Sequence, residues 1–310
     1  MGLLDGKAGL ITGSGRGIGG AAASLMAAEG AQIVVADYGV ALDGSSADAS
    51  VAQAKVDEIV AAGGQATALA IDVTNPDDCD KIVQTCLDAY GKIDFAVTVA
   101  GILRDRAMVN MTDEEFDAVI NVHLKGTFYT GRAAGRAMRQ QRFGSIVTVT
   151  SISQEGTFGQ TNYAGAKGGI ASMTYTWATE LGRHGVNVNS VSPAATTRMV
   201  TSIPGLEEAA SAPIAPGSAL GSPENVAPLF AYLVSDEAKW ITGQVIGLGG
   251  ERLSLWQHPR EKLIMTQTGG FDLDAVRRAI PATFKGRMEP YGPGATEYHE
   301  IDFEKVKQRG

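Results

Sequence analysis

The stretch Thr12-Gly13-Ser14-Gly15-Arg16-Gly17-Ile18-Gly19 decides the fold. It follows a short apolar run, Ala8 to Thr12, that reads as a strand, and it opens an alanine-rich segment, Gly17 to Glu29, that reads as a helix. Glycines at this spacing let the backbone turn tightly and approach a pyrophosphate, whose charge is met by the amides of a helix N-terminus. A glycine-rich packing turn is the bland alternative, and the position between strand and helix counts against it. Asp37 closes the next predicted strand. A carboxylate there accepts hydrogen bonds from both hydroxyls of an adenosine ribose and repels a 2′-phosphate. Arg16 would welcome such a phosphate, but Tyr38 adds no second positive charge beside Asp37. The expected cofactor is therefore NAD rather than NADP.

Outward from the glycine loop, short apolar runs alternate with longer helical patterns. Further strands are expected at Gln32 to Ala36, Ala66 to Ile71, Phe95 to Val99, Ser145 to Thr150, Val186 to Val191 and, last, Gln244 to Leu248. Helices are expected at Val51 to Ala62, Pro76 to Tyr90 with proline at its first position, Thr112 to Met138 and Asn162 to Arg183. This alternation predicts βαβ units and an α/β fold: one doubly wound, Rossmann-like parallel sheet with helices on both faces. Tyr38 to Ser50 reads as a surface loop and Pro193 to Ser222, with four prolines, as a lid. The domain reading is residues 1–250 as a single catalytic domain and 251–310 as a C-terminal extension. Within that extension Phe271 to Ile280 can form an amphipathic helix.

Composition narrows the function classes. Hydrophobic residues make up 44% and charged residues 19%, which supports a sizeable core and excludes a disordered chain. A net charge of −8 argues against broad nucleic-acid or anionic-membrane binding. Cys79 and Cys86 are too far apart for a CxxC site, and two thiols on one helix face fit a reducing compartment. No window is long and apolar enough to span a membrane, and the N-terminus has no signal-peptide pattern, so a cytoplasmic location is expected. No metal site is expected.

Tyr163 and Lys167 stand four apart in a helical segment and so share a face. Ser151 lies at the end of the predicted strand 145–150, and Asn121 lies upstream on the helix before it. All four fall near the carboxyl ends of the strands, where open parallel sheets bind ligands. Proton abstraction from an alcohol needs a base whose pKa lies near the working pH. Free tyrosine titrates at about 10, and a neighbouring ammonium together with a cationic nicotinamide in a dry pocket favours the phenolate. The Ser151 hydroxyl can hold the reacting oxygen within reach of Tyr163.

With these pieces in this order, residues 3 to 250 resemble the short-chain dehydrogenase/reductase family. The matching residues are TGSGRGIG at 12–19, Asp37, Asp72-Val73, Ala100-Gly101, Asn121, Ser151 and YAGAK at 163–167. The resemblance implies catalytic roles for Asn121, Ser151, Tyr163 and Lys167. It implies cofactor contacts from Gly13, Arg16, Gly17, Ile18, Gly19, Asp37, Asp72, Val73, Ala100, Gly101, Tyr163, Lys167 and Pro193. Lys167 would also hold the nicotinamide ribose, Asn121 would keep a water in a proton relay, and Asp72 and Val73 would flank the adenine. The chain departs from the family pattern where Thr98-Val99 replaces the usual Asn-Asn and Ala194 follows Pro193 in place of glycine.

The Tyr38–Ser50 loop, the string Gly101 to Arg106, Val122 to Gly126, Phe158-Gly159-Gln160, Arg198-Met199 and the tail resemble the (3R)-hydroxyacyl-CoA dehydrogenase domain of multifunctional enzymes and its bacterial relatives. This implies a 3-hydroxyacyl-CoA substrate and its 3-oxo form. Two alternatives are a dehydrogenase of a free hydrophobic alcohol or ketone, such as a steroid or terpene, and a non-catalytic NAD-binding redox sensor. Arg104, Arg106 and Arg198 are candidates for CoA phosphates, although loop arginines are mostly solvated. His123 is expected to pack or cap locally rather than act as an acid, and Gln160 and Asn162 to build the turn before Tyr163. A homodimer or homotetramer is expected, with the tail's six large aromatics at an interface near the substrate pocket.

Overall fold

Leu10 and Ile11, neighbours in the first strand, are both fully buried but in different cores, because successive side chains of a strand leave opposite faces. A strand buried on both sides reads as a continuous apolar run, which is why AGLIT and QIVVA were legible as interior strands. The computed structural model describes residues 2–196 and 220–289. Among these, β1 (Ala8–Thr12), β2 (Gln32–Ala36), β3 (Gln65–Leu69), β4 (Phe95–Thr98), β5 (Gly144–Val149), β6 (Val186–Pro193), β7 (Val245–Gly249) and β8 (Arg252–Leu255) form one sheet. Its order is β3-β2-β1-β4-β5-β6-β7-β8, parallel from β1 to β7.

Helices cover both faces. On one side α1 (Gly17–Ala28), α2 (Ser50–Ala61) and α7 (Pro223–Leu233) contribute Met26, Ile59 and Phe230 to a core with Ile11, Ile33 and Val35. On the other, α3 (Pro76–Tyr90) and α5 (Gly126–Gln141) bring Ile82, Cys86 and Met138 against Leu10, Val34 and Ile146. α3 begins and ends on local signals: Asn75 Oδ1 accepts from the amide of Asp77, Pro76 fills the first position, and Gly91 closes it with φ +77. Burial raises the pKa of both α3 thiols, that of Cys86 to about 12, so neither is a reactive cysteine. β1 has β2 on one side and β4 on the other, and the crevice beyond their carboxyl ends is where such sheets take ligands.

Three expectations need correction. Gln244 to Leu248 was expected to be the last strand, but the chain turns at Gly250, with φ +52, and returns as β8, antiparallel to β7. The expected Thr112 to Met138 helix is interrupted: α4 (Asp113–Val119), capped by a Thr112–Glu115 capping box, runs into a π-helical turn, Ile120–Lys125, before α5 begins. π turns of this kind cluster at functional sites. The amphipathic helix expected at 271–280 is α8 (Leu273–Ala279), and it buries only Ala275. The proposed lid at 193–222, Arg198-Met199 and the tail beyond 289 lie largely or wholly outside the described residues.

Candidate active site

The glycine loop is built around Ser14. Its hydroxyl donates to the carbonyl of Ile11 at 2.6 Å and accepts from the amide of Ala36 at 3.1 Å, tying the ends of β1 and β2 together. Gly13 sits at φ +65, and a β-carbon there would come within 2.6 Å of the Ala100 backbone. Glycine is therefore dictated at 13 both by conformation and by close approach. Asp37 accepts from the amide of Gly15 through Oδ2 at 2.8 Å and from that of Gly39 through Oδ1 at 2.7 Å. Each carboxylate oxygen keeps lone-pair capacity for a further donor.

Gly13 and Asp37 line one end of a cavity of about 550 Å³. Gly13, Arg16, Gly17, Ile18, Gly19, Asp37, Asp72, Val73, Ala100, Gly101, Asn121, Tyr163, Lys167 and Pro193 all border it. Every sequence-expected catalytic and cofactor residue except Ser151 thus borders one cavity. Asp72 turns the chain after β3 by accepting from the amide of Thr74 at 2.8 Å. Ala100 and Val99 donate their amides to Thr12 Oγ1 at 3.4 and 3.2 Å. Thr98, which stands where the family usually has asparagine, leaves its Oγ1 buried without a partner.

At the other end, α6 (Thr161–Leu181) carries Tyr163 and Lys167 one turn apart. Ser151 caps the short 3-10 turn after β5, its Oγ accepting from the amide of Ser153 at 3.2 Å, and its hydroxyl acts to lower the Tyr163 pKa. Lys167, 3% exposed, donates to the carbonyl of Val149 at 2.7 Å, with Nζ 5.3 Å from the Tyr163 ring centroid. In the protein alone, burial dominates the electrostatics of this pair. Burial pushes Tyr163 up to about 12 despite the Ser151 hydroxyl, and burial pulls Lys167 down to about 7. Desolvation outweighs the ammonium because that ammonium is itself costly to charge here. In the free protein the phenol holds its proton.

His123, on the π turn, is 2% exposed, and burial together with the Lys167 charge lowers its pKa to about 3. It is a neutral packing group, not an acid. Arg106 pairs with Glu115 at 2.8 Å, and Arg104, which borders the cavity, donates to the carbonyl of Asp43 at 2.9 Å. Arg198 lies outside the described residues.

Gln160 and Asn162 do more than build a turn. Asn162 donates to the carbonyls of Arg104 and Glu115 at 2.9 and 3.0 Å, docking the 101–106 segment on α6. A hydrogen-bonded chain runs from Ser151 Oγ to Ser153 Oγ at 3.3 Å, on to Gln160 Oε1 at 2.8 Å, and from Gln160 Nε2 to Asp105 Oδ2 at 2.8 Å. Sequence reading missed Ser153 and Asp105. Only tertiary contact joins them to the serine, although the polar string Ser151-Ile152-Ser153 was a signal that a second hydroxyl could reach it. Asp105 is exposed as a residue, but partial burial of its carboxyl raises its pKa.

A family model described as enoyl-(acyl carrier protein) reductase matches residues 13–250. The chain belongs to the short-chain dehydrogenase/reductase family. It is 40% identical over 250 residues to the 3-oxoacyl-[acyl-carrier-protein] reductase FabG of Thermotoga maritima, covering 80% of this chain and 98% of that one. It is 37% identical over 250 residues to the peroxisomal hydratase-dehydrogenase-epimerase of Neurospora crassa, covering 80% of this chain and 26% of that larger protein. A short-chain dehydrogenase of Mycobacterium avium superimposes with a TM-score of 0.81 at 39% identity, over 94% of this chain and 99% of that one. Membership makes this chain an oxidoreductase of the doubly wound fold. Among the described residues no helix is long and apolar enough to cross a membrane, and no group of three His, Cys, Asp or Glu is placed to hold a metal.

Proposed function

We propose that this protein is an NAD-dependent oxidoreductase that interconverts a 3-hydroxyacyl-CoA thioester and its 3-oxo form. The observation that carries the reading is the meeting, in one cavity, of Tyr163, Lys167 one turn away on α6, Asn121 on the π turn and the Asp37 carboxylate. The cradle suits a dinucleotide: a β-carbon at Gly13 would collide with Ala100, α1 begins at Gly17, and Asp37 offers acceptors but no cation. Gly13, Arg16, Gly17, Ile18 and Gly19 would hold the pyrophosphate, Asp37 the adenosine ribose, Asp72 and Val73 the adenine, and Ala100, Gly101, Pro193 and Lys167 the nicotinamide riboside. When bound, the nicotinamide exchanges a hydride with the substrate carbon and, in its oxidised form, adds a positive charge to the cavity.

The remaining work falls to side chains. For carbonyl reduction, Tyr163 donates the proton it already holds to the carbonyl oxygen, and Ser151 donates a hydrogen bond to the same oxygen. For alcohol oxidation, Tyr163 must first lose that proton, which positive charge nearby assists. Asn121, on the π turn bordering the cavity, is assigned to the water-borne proton path. The acyl-thioester class draws support from the reductase and multifunctional relatives. The catalytic domain is taken as residues 1–250, with 251–310 as its extension, and the protein as a homo-oligomer of the reducing cytoplasm.

The test is the rate of NADH formation with a panel of 3-hydroxyacyl-CoA thioesters, free hydrophobic alcohols and both nicotinamide cofactors. The highest kcat/KM with a thioester and NAD is expected. A higher value for a free steroid or terpene alcohol would replace the substrate class, and turnover of none would favour a redox sensor.

A further inference from the structure

His123 has no part in the chemistry assigned above, yet its Nε2 and its ring are both engaged, while Nδ1 is buried without a hydrogen-bond partner. Its Nε2 lies 3.1 Å from the amide nitrogen of Ile102 and 2.8 Å from the carbonyl oxygen of the same residue. Its ring stands edge-on to that of Tyr163, with centroids 5.0 Å apart and planes at 89°. A β-carbon placed on Gly101 would overlap the imidazole, falling 2.9 Å from Nε2 and 3.1 Å from Nδ1. The φ of Gly101 is not in the left-handed region, so its conformation does not demand glycine; the imidazole does.

The neighbouring elements gain a fixed relation from this contact. The segment after β4 carries Ala100 and Gly101 into the cavity, and the π turn carries Asn121. Loop segments have no lattice of their own to fix them. Here one buried imidazole joins the loop backbone at Ile102, the π turn that bears it and the face of Tyr163. Small displacements of a reacting group cost rate steeply, so a tie at this point bears directly on turnover.

We propose that Gly101 and His123 form one positioning unit: the glycine admits the imidazole, and the imidazole holds Ile102 and sets the orientation of Tyr163. The inference rests on the reading of Tyr163 as the proton-transferring group. His123 acts through Tyr163 and the loop and is a positioning residue.

The test compares His123→Leu, His123→Gln, Gly101→Ala and the double variant Gly101→Ala/His123→Ala with the parent chain and with His123→Ala. The readouts are kcat with its pH profile and NADH affinity by fluorescence titration. His123→Leu should lower kcat about tenfold. His123→Gln, whose amide can both donate to the Ile102 carbonyl and accept from its N–H, should recover most of that loss with every limb of the pH profile in place. Gly101→Ala should damage the parent chain severalfold yet add little in the His123→Ala background, because the space is then empty. Additive losses from the two positions would overturn the proposal, as would a pH limb that disappears in His123→Gln. If His123→Leu fails to fold, the Gln variant and the Gly101 pair still decide. Tyr163→Phe, run in parallel, separates the two failures. An active Tyr163→Phe removes the reaction reading, whereas an inactive one beside additive Gly101 and His123 losses removes only the pairing.

Discussion

At the Gly13–Asp37 end of the cavity the glycine backbone approaches closely and the Asp37 carboxylate is tied to Gly15 and Gly39, whereas at the other end Lys167 is buried and Tyr163 half-buried. The first end is exacting about shape, since a single β-carbon at Gly13 meets the backbone of Ala100. The second is exacting about charge, since burial has moved Tyr163, Lys167 and His123 each toward its neutral form. Binding and chemistry are thus built from different materials, and variants at the two ends should fail differently.

Lys167→Ala should blur the contrast most, because the residue is assigned to both ends of the task. Turnover should fall by about 10² or more and cofactor affinity should fall with it; steady-state kinetics with a parallel NADH titration would check both. A Lys167→Ala enzyme with unchanged NADH affinity would confine the lysine to the chemical end.

A second effect of comparable size concerns stability in acid. His123 has a folded pKa of about 3, below the value near 6.5 of an exposed histidine, so the unfolded chain binds more protons between these values. The contribution is fully present above pH 6.5 and is lost as pH falls toward 3. By pH 4 the loss is about 3 kcal/mol, from 1.36 kcal/mol for each pKa unit. Denaturant melts from pH 7 to 4 should therefore show a shallower decline for His123→Gln than for the parent chain; parallel declines would mean that other groups govern the acid limb.

Asp37→Ala addresses the shape-defined end alone. The preference for NAD over NADP should shrink about 10- to 100-fold, the worth of a charge-assisted hydrogen bond, with kcat little changed. A parent enzyme that already prefers NADP would instead make Arg16 the deciding residue. The smallest effect is expected from deleting residues 256–310, a severalfold change in substrate ranking accompanied by a change of mass in solution. Leu253 and Leu255 on β8 and Leu273 on α8 are exposed, and His258 stacks on Tyr175 of the same chain at 4.5 Å. An unchanged mass and ranking would leave the tail a surface cap.

What the sequence made legible follows the range of the forces involved. α3 lies where it was read, at Pro76–Tyr90, because Asn75, Pro76 and Gly91 act locally. The Gly13, Asp37, Tyr163 and Lys167 positions were legible because strand and helix periods alone bring them to one edge of the sheet. β8 was hidden because RLSL carries a weak alternation and depends on the turn at Gly250 to find β7. The Asp105–Gln160–Ser153 chain was hidden because its members meet only after the 101–106 segment docks on α6. The burial that raises Tyr163 and lowers Lys167 was not legible, because spacing gives proximity but not desolvation.

The separation of binding from chemistry is tested most directly by one variant measured two ways. Tyr163→Phe removes a single oxygen from the buried end and leaves the glycine loop and Asp37 untouched. The account predicts that kcat falls by about 10² or more while the NADH dissociation constant stays within about twofold of the parent value. Near-parental turnover, or a loss of NADH affinity as large as the loss of rate, would contradict it.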